Sequence, residues 1–313
     1  MQDKKLKILT SVLGRYYSSG DEKLFHCPRC EHHKQKLSVN VEKNVFKCWV
    51  CDYKGKDLYR IVKRYGVYEQ RRKWKELTST VDVENFTANL FDQLPGKEKQ
   101  IIEMPNEFIS LANKNLPSLS MYALNYLYSR GITKSDIIRW KIGFCPDGDY
   151  GGRVIVPSFD KDGDLNYFIA RSYDHTWPKY LNPKDANKGI VFNELFLDFD
   201  EDLVLVEGVF DAIVAGPNAV PILGSTLREN HPLIQNIIDN DTTIYIGMDH
   251  DAKKKELDII KLLLKYDIEI YKIDTGEHDD IGSMKVSEFR ERKQSSSLVT
   301  NDNYLYQVIQ EFL

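Results

Sequence analysis

The stretch Leu203-Val204-Leu205-Val206-Glu207-Gly208-Val209-Phe210-Asp211 decides how the rest of the sequence is read. Its first four residues form a continuous apolar run, as a strand buried on both faces of a parallel sheet requires. Glu207-Gly208 follows with no spacer, so a carboxylate stands at the C-terminal end of that strand, where open α/β sheets bind ligands. Asp211 comes one helical turn later.

The apolar texture repeats at Ala219 to Leu223, Thr243 to Met248 and Ile268 to Ile273. Between the last two, Leu257, Ile260, Leu263 and Leu264 fall at helical spacing. Alternating strands and helices predict a mainly parallel sheet with covering helices. Asp249 and Asp251 follow the run Thr243 to Met248 with one residue between them. Strand alternation predicts both carboxylates on one face and His250 on the other. Asp279-Asp280 after the next strand is placed to join them. Clustered carboxylates repel, and some keep their protons unless a cation neutralises them. An oxygen-only ligand set suits Mg2+ or Mn2+, which can also hold phosphate oxygens for in-line nucleotidyl transfer. Glu207 reads either as a base or as a metal ligand. Taken singly, Asp211, Asp279 and Asp280 read equally well as helix caps or surface charge.

Upstream, residues 153–181 alternate apolar and polar positions around Asp162-Gly163, with Val154-Ile155-Val156 on one side and Leu165 to Ile169 on the other. That pattern predicts an antiparallel hairpin. Further upstream, Cys27-Pro28-Arg29-Cys30 and Cys48-Trp49-Val50-Cys51 are separated by seventeen residues. Each pair can present two thiolates on one side of a tight turn, and two such turns complete a tetrahedron around Zn2+. Leu37 to Val41 and Asn44 to Lys47 read as the hairpin of a zinc ribbon. Four cysteines are the simplest ligand set, although His26, His32 or His33 could replace Cys30. Lys34, Lys36, Lys43, Lys47 and Trp49 are candidates for an exposed surface pairing phosphate contacts with base stacking; Trp49 reads equally as ribbon packing.

The 313 residues carry a net charge of −4, unevenly spread. Residues 1–76 hold 19 Lys/Arg against 9 Asp/Glu, a balance of +10, and the remainder carries −14. A basic front end can follow a phosphate backbone, and an acidic body can gather divalent cations. No stretch approaches the ~18 apolar residues of a membrane span, and Met1 to Tyr16 lacks an apolar secretory core, so a cytoplasmic protein is expected. Two cysteine pairs plus the lone Cys145 suit a reducing compartment better than a disulfide framework. The expected organisation is a zinc ribbon over residues 1–66 ending in a helix from Lys56 to Tyr65, and a linker with some helix over 67–115. A mixed α/β basic subdomain over 116–202, an acidic α/β subdomain over 203–292 and a short tail with a helix over 293–313 follow.

These features together resemble DnaG-type primases. Cys27 to Lys54-Gly55 resembles that family's zinc-binding domain. Tyr126-Leu127, Arg130-Gly131-Ile132, Ile137-Ile138 and Ile142-Gly143-Phe144-Cys145-Pro146 are similar to the opening of its RNA-polymerase domain. Arg153-Val154-Ile155-Val156-Pro157 and Pro178-Lys179-Tyr180-Leu181-Asn182 resemble its basic subdomain, while Val206-Glu207-Gly208 with Asp211 and Asp249-His250-Asp251 match the Toprim metal-binding fold. The resemblance covers roughly residues 24–66 and 121–290. It implies an enzyme that makes short RNA primers from ribonucleoside triphosphates on single-stranded DNA. Glu207, Asp249 and Asp251 would hold catalytic Mg2+ or Mn2+, supported by Asp211, Asp279 and Asp280. Arg153, Arg171, Lys179, Tyr180 and Asn182 would bind template or nucleotide, Cys145 would be packing, and zinc would be structural.

Two departures stand out. Where the family has a basic segment after its Lys-Tyr-Leu-Asn motif, this chain has Ile190-Val191-Phe192-Asn193-Glu194. The part after Lys285 is too short for the helicase-binding domain of bacterial members, and no G-x4-G-K-[ST] phosphate loop occurs. The expectation is therefore a primase subunit like that of large T-even-like phages, working with a separate helicase. A RecR-like recombination mediator would carry a helix-hairpin-helix beside its zinc site, and a topoisomerase would need a nucleophilic tyrosine in a further domain. Neither feature is recognisable here; a RecR-like zinc/Toprim recombination mediator and a Toprim nuclease are the alternatives to the primase reading.

Overall fold

Alternation of apolar and polar residues builds the first part of the chain into hairpins. The computed structural model describes residues 2–51, 53–78, 102–174, 176–183, 186 and 189–311. It divides into two compact units, residues 1–98 and 99–313. In the first, helix α1 (Gln2–Leu13) precedes strands β1 (Tyr17–Ser19), β2 (Glu22–Phe25), β3 (Leu37–Asn40), β4 (Val45–Cys48) and β5 (Lys54–Gly55). They form one antiparallel sheet in sequence order. The β3–β4 turn needs a left-handed residue, and Asn44 supplies it at φ 55°. At Gly55 a Cβ would come within 2.6 Å of the Phe46 ring, so only glycine lets β5 lie this close to β4.

Helix α2 (Tyr59–Tyr65) starts later than the expected Lys56, because the Asp57 carboxylate accepts the Tyr59 N–H at 3.0 Å and closes the helix's first turn. Helix α3 (Tyr68–Thr78) lies in the stretch expected to be linker. Its Trp74 is only 1% exposed and packs with Leu9, Phe25, Leu37, Leu58 and Ile61. Its opposite face carries the i,i+4 ion pairs Lys73–Glu69 and Arg72–Glu76. The charged run is thus the solvated face of a packed helix. The linker reading of 79–101 falls outside the described residues.

The second unit starts with β6 (Ile109–Ser110), helices α4 (Ser120–Ser129) and α5 (Lys134–Arg139), and strands β7 (Gly143–Cys145), β8 (Arg153–Phe159) and β9 (Leu165–Ser172). A capping box between Thr133 and Asp136 fixes the start of α5. Strands β6 to β9 form an antiparallel sheet, and the expected β8–β9 hairpin turns at Gly163, φ +91°. Next come β10 (Leu203–Val206), α6 (Val209–Ala215), β11 (Ala219–Pro221), α7 (Pro232–Asp239), β12 (Ile244–Ile246), α8 (Lys253–Leu264), β13 (Ile270–Lys272), α9 (Val286–Gln294), β14 (Ser297–Leu298) and α10 (Asn301–Glu311). The sheet order is β11-β10-β12-β13-β14, parallel except for the edge strand β14. The sequence expected only a tail there, but Ser297-Leu298 completes the sheet. All four residues of β10 are buried, as their apolar run requires. Among the described residues no helix is long and apolar enough to cross a membrane.

If α3 belongs to the first unit's core, Trp74→Ala will destabilise that unit by about 3–5 kcal/mol, measured by urea unfolding of the full chain. A loss under ~1 kcal/mol would mean that the helix is a detachable connector.

Candidate functional site

The central strand β10 delivers Glu207 to the end of the parallel sheet, where the Glu207 carbonyl accepts the Leu223 N–H at 3.1 Å and fixes its backbone. Next to it, Gly247 N–H donates to the Leu205 carbonyl at 3.1 Å and docks the chain leading to Asp249 against the same strand. Side-chain oxygens of Glu207, Asp249 and Asp251 come within 4.8 Å of one another. Strand alternation is not what joins the two aspartates. Strand β12 ends at Ile246, and the chain winds into a short 3-10 turn, His250–Ala252, closed by Ala252 N–H to the Asp249 carbonyl at 2.9 Å. That turn swings Asp251 back toward Asp249. His250 points elsewhere, its Nε2 2.9 Å from Thr275 Oγ1.

Asp211 is nearly buried, at 7% exposure, and both of its oxygens are engaged by backbone. One accepts Gly208 N–H at 2.8 Å and closes the first turn of α6; the other accepts Gly282 N–H at 2.7 Å. It braces the site and adds negative charge while remaining outside the three-carboxylate group. Of the Asp279-Asp280 pair, only Asp280 lines the same cleft; Asp279 is exposed, and its carbonyl accepts the His250 N–H at 3.4 Å. Burial and then the charge of Asp280 push the Asp211 carboxyl up to about 6. Burial, followed by the charges of Asp211, Glu207, Asp280 and Asp251, pushes Asp249 up to about 7.

A magnesium ion at ~2.1 Å from each oxygen keeps its ligand oxygens within roughly 4.2 Å of one another. The three-carboxylate spread of 4.8 Å therefore closes on an ion with small side-chain movements. Glu207 Oε2 is buried with no hydrogen-bond partner, an acceptor that such a cation would satisfy. Lys255 Nζ lies 3.5 Å from the other oxygen, Glu207 Oε1. The donor set fits a hard divalent cation.

A cleft of about 390 Å³ opens from the acids toward the antiparallel sheet. Arg171, Lys179, Tyr180 and Asn182 line it opposite Glu207, Asp211, Asp249 and Asp280. The Arg171 guanidinium stacks 4.7 Å over the Tyr180 ring, and Asn182 Oδ1 is buried without a partner. Arg153 is absent from that lining. It is 4% exposed and donates to the Gly151 and Pro178 carbonyls at 2.9 and 3.1 Å, tying down the segment that carries Lys179 and Tyr180. Arg130 does line the cleft, 4.7 Å over the Phe210 ring. Its Arg-Gly-Ile context was visible in the sequence, but nothing there showed that α4 ends at this wall.

In the other unit all four cysteine sulfurs lie within 4.8 Å of one another, with Cys27–Cys51 at 3.7 Å and Cys30–Cys48 at 3.8 Å. A zinc tetrahedron with ~2.3 Å bonds has edges of about 3.8 Å, so the sulfurs fit it. The nearby histidines stand outside the group; His26 and His32 face the His32 and Lys34 backbone. Burial pushes the Cys27 thiol up to about 12, a cost that a zinc ion would remove. Trp49 is 68% exposed, with Lys47 Nζ 5.0 Å over its ring, so it belongs to the surface and not to the core. Lys34, Lys36 and Lys43 are exposed as well, and Lys47 is half-buried.

No protein-family model matches the chain. It is similar to DNA primases of Geobacillus stearothermophilus (22% identical, 76% of this chain, 49% of the relative) and Mycoplasma genitalium (26%, 80% and 51%). The chain spans about half the length of the curated relatives it matches. Among solved structures it is similar to a DnaG primase catalytic domain bound to single-stranded DNA, at TM-score 0.53 and 19% identity over 63% of this chain and 78% of that one. It is likewise similar to a DNA primase domain from Pseudomonas aeruginosa, at TM-score 0.52 and 23% identity over 62% and 77%. At these identities the structural likeness establishes the fold, a Toprim-like sheet beside an antiparallel one.

Two outcomes follow from the donor sets. Cys48→Ser will lower zinc content, measured by atomic absorption, below half of the wild-type value; unchanged content would contradict the four-sulfur site. A carboxyl whose pKa is higher folded than unfolded opposes folding above the folded value and stops doing so as pH falls through it. Asp211 and Asp249 are such groups. The metal-free chain should therefore gain thermal stability from about pH 8 down to about pH 6, and saturating Mg2+ should raise the Tm at the upper end and flatten the trend. A Tm that falls over that window without metal would refute the cluster.

Proposed function

We propose that this chain is a DNA-dependent primase that makes short RNA primers on single-stranded DNA by metal-dependent nucleotidyl transfer. One observation carries the reading: Glu207 and Asp249 share a cleft with Arg171, Lys179, Tyr180 and Asn182. Cation-holding acids face groups suited to phosphate and base, which is the arrangement that joining two nucleoside triphosphates on a template needs. The similarity to curated DNA primases supports the same reading.

In this mechanism Glu207, Asp249 and Asp251 hold the divalent cation, and Asp211 and Asp280 add negative charge around them. The bound cation supplies positive charge for the α-phosphate and the departing pyrophosphate. Lys179 and Arg171 attract template or triphosphate, and Tyr180, held under Arg171, offers a stacking face. Arg153 positions the Lys179 segment from below. The alternative role for Glu207 is that of base for the attacking 3′-hydroxyl. In the first unit, Cys27, Cys30, Cys48 and Cys51 would hold zinc, and Trp49 with the surrounding lysines would contact template. A source in a large phage and a helicase on a separate chain belong to this reading and rest on the sequence resemblance.

Incubation with single-stranded DNA, labelled ribonucleotides and Mg2+ should give labelled RNA that chelation abolishes. Asp249→Ala should eliminate it while zinc content and the fold, read by circular dichroism, are retained; full synthesis by that variant would remove the acids from the chemistry. Lys179→Ala should weaken DNA or nucleotide binding and reduce its salt slope by about one, and an unaltered slope would take this lysine off the phosphate path.

A further inference from the structure

The loop that carries Asp249 and Asp251 is fastened by neutral contacts at Gly247 and His250 and by one buried charge. That charge is Glu256, on the first turn of α8, only 4% exposed. Its carboxylate takes the Lys272 ammonium of β13 at 2.6 Å, and both side chains line one pocket with Met248 and Asp249. Met248 directly precedes Asp249. A carboxylate buried this deeply is costly to desolvate, and an ion pair in such a place seldom adds net stability over an apolar pair. What it does add is direction, because a charged acceptor makes a stronger and more oriented bond than a neutral one.

We propose that the Glu256–Lys272 pair is a positioning device for the divalent-metal site, holding the Met248–Asp249 backbone so that the Asp249 carboxylate meets Glu207. The inference rests on the reading of Glu207, Asp249 and Asp251 as metal ligands and extends it to two residues that touch neither metal nor substrate. Lys272 reaches the carboxylate from the neighbouring strand, so the pair ties α8, β13 and the loop together behind the acids. Without it, Gly247 and His250 still hold the loop near its place, but the loop loses the charged brace packed beside Met248 and Asp249, and Asp249 its fixed angle.

Manganese titration of the full chain tests this, with Tm and circular dichroism as fold controls. Partners standing behind metal ligands typically tune affinity by ~10–100-fold, and Glu256→Ala should weaken Mn2+ binding by about that factor. Glu256→Gln and Lys272→Met should weaken it in the same direction, with single-stranded DNA binding unchanged and primer synthesis rescued by excess Mn2+. If Glu256→Ala does not fold, the other two variants decide. Folded Glu256→Gln and Lys272→Met proteins that bind Mn2+ as the wild type does, even with a lowered Tm, would overturn the positioning role and leave only a structural one. A wild-type chain that binds no Mn2+ would instead overturn the metal reading, and this inference with it.

Discussion

Side-chain oxygens of three acids held within 4.8 Å repel one another, and much of residues 203–284 is arranged to hold them there. Glu207 cannot retreat, because β10 is buried along its whole length and the Leu223 N–H grips the Glu207 carbonyl. Asp249 cannot retreat either, since the chain before it is bonded to Leu205 and the turn after it closes on the Asp249 carbonyl. Asp211 adds a further charge nearby and is itself locked to Gly208 and Gly282. Burial first, and then repulsion that cannot relax by movement, favour proton uptake, and Asp249 is accordingly pushed up to about 7. A divalent cation relieves the same strain without a proton, so metal binding and proton release are coupled here.

The zinc unit answers a different shortage. A domain this small buries little apolar surface for its length. Its core rests on a few large side chains, Phe25, Phe46, Tyr53 and Trp74 among them, with Cys27 and Cys48 packed beside them. Four sulfurs at tetrahedral spacing would, with zinc bound, add a cross-link that such a core lacks. The arrangement leaves Trp49 at the surface, where Lys34, Lys36 and Lys43 are exposed as well.

Much of this was legible in the sequence, because burial and metal chemistry both leave short-range marks. The run Leu203 to Val206 had the texture of a covered strand, and the carboxylate placed immediately after it fell at that strand's C-terminal end. The spacing of the cysteine pairs spelled out the ribbon. What escaped notice depended on contacts between distant residues. Trp74 looked like part of a charged run, since its burial needs α1 and α2 as partners. Arg153 read as a nucleic-acid ligand, but only the fold shows its guanidinium spent on two carbonyls. Asp249 and Asp251 were expected to align through the strand pleat, whereas the strand stops short and a 3-10 turn brings them together. Asp279 and Asp280 could not be separated until the backbone turned one of them outward. Glu256 carried no mark at all, being one acid in a lysine-rich helix start.

Anomalous scattering from crystals soaked in manganese tests the central claim most directly. The account predicts a manganese peak between Glu207, Asp249 and Asp251, at about 2.0–2.5 Å from at least two of their oxygens. A saturating soak that leaves this position empty, or places the metal only elsewhere, would contradict it.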